Sequence, residues 1–383
     1  MNWSLRLATV RGINLKVHIT FAVILLIAAM NWAALGPSGM AFGVGLVLLL
    51  FACVTLHEFG HALAAQYFGI PVKEIVLLPI GGIAFLGRAT RRPLEELIVA
   101  AAGPAVNVAI VALLAPVAWV LGDGRLDLAP AFLRPDGATP SLLEAVQWLV
   151  GANIGLVLFN MIPAFPLDGG RLLRGLLGLL TDGSRATRWA TATGQLLAMG
   201  MGGWGLLNGQ LMLVLLSAMI FFSASATAAE ERGYSVLSSH RVGDACNRHA
   251  LVLSEHERVS TVISYILTSY QPDFAVVRGG NLLGVVRRSQ VVQSLALQEG
   301  DQTVAAIMSP VPRVDASRSL ADVRQAMAEA GAPVAAVFDR TLFIGLVSLE
   351  DIAEAETVLA FTRRGIPSAA GVRPRSGWSP AEA

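Results

Sequence analysis

Six long apolar stretches limit what this chain can fold into. A bilayer-spanning helix needs roughly 20 predominantly apolar residues, and the chain offers six such stretches at 18–36, 41–68, 94–121, 141–165, 187–206 and 209–229. Only 14% of the 383 residues are charged, against about 25% in a soluble domain. We therefore predict a polytopic α-helical membrane protein with six transmembrane helices. The net charge of +1 gives no general attraction to nucleic acid.

The distribution of Lys and Arg predicts the orientation of these helices. Positive residues concentrate in the N-terminal segment and in alternate loops: Arg6, Arg11, Lys16, Lys73, Arg88, Arg91, Arg92, Arg171, Arg174, Arg185 and Arg188. The intervening loops contain only Arg125 and Arg134. Because cytoplasmic loops carry the excess of positive charge, we expect a multi-pass protein of the cell membrane with both termini in the cytoplasm. The N-terminal apolar run lacks a clear cleavage site and reads as a retained first span.

Two segments beside the predicted helices favour β-structure. "LRLATVRGINLKVH" (5–18) and "KEIVLLPIGGIAFLG" (73–87) are rich in β-branched and apolar residues. Open strand edges cannot face lipid, so strands at membrane depth must be buried against helices or line a wet cavity. The alternative is an ordinary cytoplasmic loop packed on the helices.

The composition becomes that of a soluble protein after Glu230. Residues 251–290 and 312–351 align without a gap at an offset of 61, which predicts two copies of a small α/β unit packed together. The tail at 359–383 is rich in Pro, Gly, Ser and Arg and is expected to be disordered. The two cysteines, Cys53 and Cys246, give no disulfide framework.

The segment "HEFGH" places three ionisable residues inside the second apolar stretch. His57 and His61 are four residues apart, so on a helix they share one face and can reach one metal ion. Glu58 lies beside them, as in the H-E-x-x-H pattern of two zinc ligands and a general base. Ionisable residues inside a membrane span are functional by default. The alternative is a pair of polar side chains that only packs helices together.

A third ligand is needed, because catalytic zinc sites commonly have three protein ligands and one open position. Asp168 in "NMIPAFPLDGGR" (160–171) is the best candidate, since the fourth span runs in the same direction as the second and brings Asp168 to a similar depth. Pro163 and Pro166 should break or kink that helix. The alternative for Asp168 is an acid at a helix terminus that pairs with Arg171.

Three separated motifs resemble the site-2 protease family of intramembrane zinc metalloproteases: "HEFGH" (57–61), "GPAVN" (103–107) and "NMIPAFPLDGGR" (160–171). The resemblance covers residues 1–230 and implies a six-span metalloprotease domain with short membrane-associated β-strands. It implies one Zn²⁺ per chain held by His57, His61 and Asp168, with Glu58 activating the water. It also implies that Asn107 and Asn160 lie near the active site as polar helpers, although interhelical hydrogen bonding would explain both equally well.

The C-terminal repeat resembles a tandem pair of cystathionine-β-synthase-type (CBS) domains, at 231–358 with copies at about 236–298 and 301–357. "GLVSLED" (345–351) resembles the nucleotide signature of such domains, in which Ser348 and Asp351 contact ribose and phosphates. The first copy has Arg287 and Gln290 at the equivalent positions, so at most one adenosine site is expected. ATP, ADP or AMP would then be a regulatory ligand. The alternative is a packing or dimerisation module without a ligand.

The leading functional hypothesis is regulated intramembrane proteolysis. The expected partners are a membrane-tethered substrate, such as an anti-sigma factor or a transcription-factor precursor, the lipid bilayer, adenine nucleotide, and a second copy of the chain through the CBS pair. No nucleic acid is expected. A CBS-gated transporter or channel is the alternative, but a transporter should show repeated halves, whereas the one obvious repeat lies in the soluble part. An inactive relative that only binds partners is disfavoured because all four catalytic residues are present.

Overall fold

The chain folds into two compact units, Met1–Ala229 and Glu230–Ala383. In this computed structural model, the structure describes residues 3–79, 81–86, 92–125, 140–248, 250–268, 271–297 and 302–362. Within those residues the first unit contains six whole α-helices, most of a seventh and one sheet, and the second contains six further α-helices and two sheets.

A four-stranded sheet accompanies the helices of the first unit. Its strands are β1 (Ser4–Val10), β2 (Ile13–His18), β3 (Val72–Leu78) and β4 (Gly81–Leu86), in the spatial order β1-β2-β3-β4. The β1–β2 and β3–β4 pairs are antiparallel and β2–β3 is parallel. Strands β1 and β4 are therefore the two edges. The segments expected to be extended both lie in this sheet.

The apolar side of this sheet packs on the second helix. Ile13, Ile70 and Ile75 are completely buried and lie in one cluster with Ala62 and Val99. Ala62 belongs to the helix that carries the H-E-x-x-H segment. This cluster fixes the sheet beside that segment.

Seven helices make up the rest of the first unit: α1 (Phe21–Asn31), α2 (Gly36–Tyr67), α3 (Pro93–Leu121), α4 (Leu142–Asn160), α5 (Asp168–Gly178), α6 (Gly183–Leu207) and α7 (Leu211–Ser238). Helix α2 packs on α1 and α3, and α3 also packs on α4 and α5. Helix α3 is thus the common neighbour of the H-E-x-x-H helix and of the helix that begins with Asp168.

Among the described residues, four helical segments are long and apolar enough to cross a membrane: Ala33–Tyr67, Pro93–Leu121, Leu142–Asn160 and Leu211–Ser238. The prediction of a multi-pass membrane protein is confirmed, but six spans are not. The first predicted span, 18–36, contains the end of β2, the 11-residue α1 and a 3-10 turn. Helix α6 has 25 residues but is diluted by Gly, Thr and Ala, so its hydropathy is too low.

The helix of the fourth predicted span (141–165) ends five residues before the predicted boundary. Helix α4 stops at Asn160, and the segment containing Pro163 and Pro166 forms turns before α5 begins at Asp168. Proline lacks an amide hydrogen and clashes with the preceding turn of a helix. The interruption brings Asp168 to the first position of a separate helix.

The second unit contains two similar α/β halves. The first comprises α8 (Val242–Ala245), β5 (Val252–Ser254), α9 (Val259–Thr268), β6 (Asp273–Arg278), β7 (Asn281–Arg287) and α10 (Arg288–Ala296). The second comprises α11 (Val304–Ile307), β8 (Arg313–Asp315), α12 (Leu320–Ala330), β9 (Val334–Asp339), β10 (Leu342–Ser348) and α13 (Leu349–Thr362). Ala275, Val285, Ala336 and Leu346 bury the surface between the halves.

The two aligned glycines of the repeat are required for the same reason, the close approach of another chain segment. A Cβ atom at Gly284 would lie 2.9 Å from the Ser309 carbonyl oxygen, and one at Gly345 would collide with the Asn247 carbonyl. Each glycine admits the segment that leads to the first strand of the other half.

The predicted start of the disordered tail, at residue 359, lies inside a helix. Helix α13 continues to Thr362, because Leu359 packs against the core of the second half. Helix formation at 359–362 corrects the expectation there, and the remainder of the tail, 363–383, lies outside the described residues.

Candidate metal centre

Helix α2 brings two imidazoles together. His57 and His61 are both 6% exposed, and their Nε2 atoms are 3.1 Å apart. The four-residue spacing places them one helical turn apart on the same face. That face is turned towards α3.

Asp168 completes a triangle of ligand atoms. Its Oδ2 lies 3.2 Å from the Nε2 atom of His57 and 3.2 Å from that of His61. In tetrahedral zinc sites the Zn–N and Zn–O distances are about 2.0–2.2 Å, which separates neighbouring ligand atoms by a little over 3 Å. His57, His61 and Asp168 therefore offer a ligand set of the right chemistry and spacing.

The opposite nitrogens of both rings have fixed partners on α3. The Nδ1 of His57 donates to Oδ1 of Asn107 at 3.0 Å, and the Nδ1 of His61 donates to the Val99 carbonyl oxygen at 2.7 Å. A protonated Nδ1 leaves each Nε2 with its lone pair directed towards the shared position. Such partners orient metal-binding histidines and set their tautomer.

Gly103 provides room for the three ligand atoms. A Cβ atom at this position would lie 2.7 Å from Nε2 of His57 and would collide with Nε2 of His61. The glycine follows from close approach of the α3 backbone, not from an unusual dihedral angle. The motif "GPAVN" thus contributes a cavity wall at its first residue and a histidine partner at its last.

Glu58 lies between the metal centre and the sheet. It is half-buried, and a Cβ atom on Gly82 would lie 3.1 Å from its Oε1. Gly82 belongs to β4, an edge strand of the sheet. The carboxylate that sequence analysis assigned as base therefore lies against an edge strand.

The two asparagines differ in their surroundings. Asn107 is completely buried, and its Nδ2 atom has no hydrogen-bond partner among the described residues. Asn160 is the last residue of α4 and is half-buried. The structure brings Asn107 to His57 by direct contact, whereas Asn160 lies at the end of α4, eight residues before Asp168.

Two contributors were missed by sequence analysis. The Val99 carbonyl carries no side-chain signal, and sequence alone could not identify it. Gly103 was noted within a motif but not assigned a role. The signal for Gly103 was available, because a glycine in the middle of an apolar helix is unfavourable unless something packs closely against it.

In the second unit, Ser348 and Asp351 form a helix cap. The backbone amide of Ser348 donates to Oδ2 of Asp351 at 2.8 Å, and the amide of Asp351 donates to Oγ of Ser348 at 3.0 Å. This reciprocal arrangement is a capping box at the start of α13. Both predicted nucleotide contacts therefore also have a structural use.

Gln290 occupies the equivalent position in the first half. Its Oε1 accepts from the Arg287 amide at 2.9 Å, and its Nε2 donates to the Ile307 carbonyl and to Ser309 Oγ, both at 2.8 Å. This side chain is committed to the fold. The first half thus has no free polar side chain at the position equivalent to Asp351.

Asp273 adds a negative charge near α13. Burial raises the pKa of its carboxyl group to about 6, and the carboxylates of Asp351 and Glu350 act in the same direction, while Arg287 opposes them. An acidic surrounding of this kind disfavours phosphate groups unless a cation accompanies them.

Comparison with known proteins points to one family for the first unit. Residues 45–127 and 131–201 match Peptidase family M50, and residues 304–357 match the CBS domain. Zinc metalloprotease MJ0392 of Methanocaldococcus jannaschii is 29% identical over 286 residues, covering 75% of this chain and 78% of that protein. Stage IV sporulation protein FB of Bacillus subtilis is 29% identical over 159 residues, covering 41% of this chain and 49% of that protein. The structure of a site-2 protease from Methanocaldococcus jannaschii is 32% identical, with a TM-score of 0.41, covering 59% of this chain and 95% of that one.

Proposed function

The chain belongs to peptidase family M50 and is a zinc metalloprotease, and we propose that it hydrolyses a peptide bond in or near the transmembrane segment of a membrane-tethered protein. One observation carries the proposal. The buried ligand atoms of His57, His61 and Asp168 meet beside α2 and α3, two helices long and apolar enough to cross a bilayer. Chemistry at that place acts on peptide that has entered the membrane.

His57, His61 and Asp168 would hold one Zn²⁺, because their free lone pairs converge and Gly103 leaves the space. When bound, zinc supplies Lewis acidity that polarises the scissile carbonyl and acidifies water. The protein residues fix the ligand geometry through Asn107 and the Val99 carbonyl. Asn107 is proposed as a positioning residue that orients His57.

Glu58 is proposed as the general base. Its carboxylate would take a proton from the attacking water and return it to the leaving amine. A position between the metal ligands and β4 suits both transfers, since the peptide must lie within reach of the same carboxylate. Asn160 would hold the peptide backbone through its amide group, which makes no side-chain hydrogen bond to any described residue.

Strand β4 is proposed as the platform for the substrate. A peptide bond inside a transmembrane helix is shielded by its own hydrogen bonds, so the substrate must unwind before cleavage. An unwound segment can add to an open sheet edge through main-chain hydrogen bonds. Strand β4 is such an edge, and its Gly82 lies directly against Glu58.

We further propose six membrane segments with both termini in the cytoplasm. Helix α6 is about 37 Å long at 1.5 Å per residue, and its Leu196, Met199 and Leu206 are 64–72% exposed. Such a surface suits lipid better than water. Helix α1 would enter the membrane beside α2, against which it packs. The substrate class is then a membrane-tethered regulator such as an anti-sigma factor or a transcription-factor precursor.

The CBS unit is proposed to regulate cleavage by binding adenine nucleotide near Ser348 and Asp351, and to offer a surface for a homodimer. The proposal rests on the "GLVSLED" resemblance. It also rests on the hydrogen bonds of Gln290, which occupy that side chain, so that only the second half offers a nucleotide site. Because Asp273, Glu350 and Asp351 are negative, a nucleotide polyphosphate would bind together with a divalent cation.

Helix α7 is proposed to transmit that regulation along the chain. In its first part, Ile220 and Ala224 pack against Ala164 and Phe165, in the segment that leads to Asp168. In its last turns, Leu237 is completely buried in the core of the second CBS half. The two ends of α7 thus each pack within their own unit.

The test of the proposed function is cleavage of a defined substrate in vesicles. Purified protein would be reconstituted with a single-span reporter whose transmembrane segment carries a helix-breaking residue. We expect cleavage within or next to the span that stops in Glu58→Gln and after zinc chelation. Nucleotide-dependent solute flux without reporter cleavage would instead support the transporter alternative.

A further inference from the structure

Helix α3 carries a buried charge that the proposed chemistry does not use. Glu96 is 4% exposed. Its Oε1 accepts a hydrogen bond from Nε of Arg174 at 2.7 Å and also forms an ion pair with the terminal guanidinium nitrogen. Arg174 lies on α5, the helix whose first residue is Asp168. The pair thus joins α3 to the helix that presents the third ligand.

Arg174 has a second contact in the same segment. Its guanidinium carbon lies 5.7 Å from the centre of the Phe165 ring. Phe165 is 6% exposed and stands three residues before Asp168. Arg174 therefore ties α3 both to α5 and to the turn that leads into it.

The close approach of α3 and α5 supports the pair. A Cβ atom on Gly175 would lie 2.8 Å from Cγ of Leu97, and one on Gly178 would lie 3.0 Å from Cγ of Pro93. These contacts hold the two backbones near each other next to the ion pair.

Glu96 belongs to a single stripe along α3. Glu96, Val99, Gly103 and Asn107 are spaced by three, four and four residues, so they lie on one face of the helix. Val99 and Asn107 hold the two histidines, and Gly103 clears the space between the ligands. Glu96 is the member of this stripe that reaches the helix of Asp168.

We propose that Glu96 is a positioning residue for the metal centre: through Arg174 it sets the placement of Asp168 relative to the two histidines. This inference rests on the proposed zinc site. His57 and His61 share one helix, so their spacing is given by α2, but Asp168 comes from a separate element. A zinc–ligand distance tolerates only about 0.2 Å, which makes the placement of α5 decisive.

The first measurement compares Glu96→Gln with Glu95→Gln in the purified full-length protein. Glu95 is a matched control, since it is also buried on α3 but pairs at 3.3 Å with Arg92, the residue just before that helix. Zinc affinity would be obtained by competition with a chromogenic chelator, and coordination geometry from the absorption spectrum of the Co²⁺ form. We expect Glu96→Gln to weaken zinc binding by about 10–100-fold and to change the Co²⁺ spectrum, with Glu95→Gln close to wild type.

A double-mutant cycle with Asp168 separates positioning from general damage. In an Asp168→Ala background, Glu96→Gln should have no further effect on the remaining zinc affinity, because the ligand that it places is gone. An equal loss in both backgrounds, or an affinity for Glu96→Gln within twofold of Glu95→Gln, overturns the inference. If Asp168→Ala itself leaves zinc affinity unchanged, the proposed metal site fails instead.

A second variant covers the case in which Glu96→Gln does not fold. Removing one partner of a buried ion pair strands the other charge, whereas replacing both by apolar residues is often neutral for stability. The double variant Glu96→Leu/Arg174→Met should therefore keep its thermal stability without metal and still bind zinc more weakly. Retention of wild-type zinc affinity in this folded variant contradicts the positioning role.

Discussion

At the scale of single residues, the metal centre depends on the absence of a side chain at Gly103 as much as on the ligands. Gly103 allows the backbone of α3 to stand beside the Nε2 atoms of His57 and His61, and two other α3 residues hold the rings from behind. The centre is therefore built from both helices, and its sensitivity extends to residues that bind no metal.

We predict that Gly103→Ala abolishes zinc binding. The added methyl group would occupy the position of the ligand atoms, so zinc affinity should fall by more than about 100-fold. Gly155→Ala on α4 is the control, because a Cβ atom there meets nothing within 4 Å. Chelator competition on both purified variants measures this, and wild-type affinity in Gly103→Ala would contradict the close approach of α3 to the ligand atoms.

Asp273 gives the second prediction, on the pH dependence of stability. Its folded-state pKa of about 6 lies above the ordinary aspartate value near 4. Its protonated form, which prevails below pH 4, carries no penalty, and ionisation destabilises the fold progressively as pH rises from 4 through 6. Asp273→Asn should therefore stabilise the second unit above pH 7 by about 1 kcal/mol, after allowance for solvent screening at this half-buried site, and not at pH 4.

Amide hydrogen exchange of β6 in the full-length protein measures this change. Protection, corrected for the intrinsic pH dependence of exchange, should increase in Asp273→Asn at pH 7.5 and match wild type at pH 4. Asp339→Asn, an exposed position at the end of β9, is the control. An equal gain at both pH values would exclude ionisation as the cause.

At the scale of elements, the interrupted fourth span and the edge strand β4 decide where chemistry can occur. Helix α4 ends at Asn160, and the short α5 starts with Asp168 at the level of the two histidines. Strand β4 lies against Glu58 of α2. A substrate held at that edge would lie within reach of the Glu58 carboxylate.

Proline substitutions in β4 test the proposed substrate platform. In an antiparallel pair, the amides of adjacent residues point alternately to the partner strand and to the open edge. Of Ile83→Pro and Ala84→Pro, one should disturb the β3–β4 pairing and the other should remove only an outward donor. The variant that loses only the outward donor should remain folded and cleave the reporter about fivefold more slowly, because one hydrogen bond to the substrate, worth about 1 kcal/mol, is lost.

The matched control for β4 is a proline at the other edge of the same sheet. Leu7 lies at the register irregularity of β1, between Arg6 and Ala8, where proline is tolerated. Leu7→Pro should cleave at the wild-type rate. If the folded β4 variant also does so, strand addition at β4 is not part of the mechanism.

Sequence patterns predicted much of this arrangement, and the exceptions have physical reasons. The spacing of His57 and His61 fixes their common face, because helix geometry alone determines it. The number of spans was less accessible: α1 is cut short at the turn before Gly36, whose φ is +72°, and α6 mixes lipid-exposed Leu and Met with small residues. The Val99 carbonyl and the Glu96–Arg174 pair arise only from tertiary packing, which no local pattern encodes.

At the scale of the whole molecule, α7 begins in the first unit and its last residues belong to the second. Its continuity leads to a prediction about regulation. Ala228→Gly/Ala229→Gly would loosen the helix between its two packed parts by about 2 kcal/mol of helix propensity. Any effect of Mg²⁺-ATP on reporter cleavage should diminish, while cleavage without nucleotide stays near wild type. An unchanged nucleotide effect would exclude transmission through α7.

The most direct measurement of the central claim is a comparison of membrane proteomes from the native host expressing wild type or Glu58→Gln. The variant retains the metal ligands and loses the base, so uncut substrate should accumulate and its cytoplasmic fragment should disappear. Accumulation of one or a few membrane-tethered proteins, with cleavage sites in or beside their spans, is the predicted result. Identical membrane proteomes under growth conditions that change adenine nucleotide levels would contradict intramembrane proteolysis as the function.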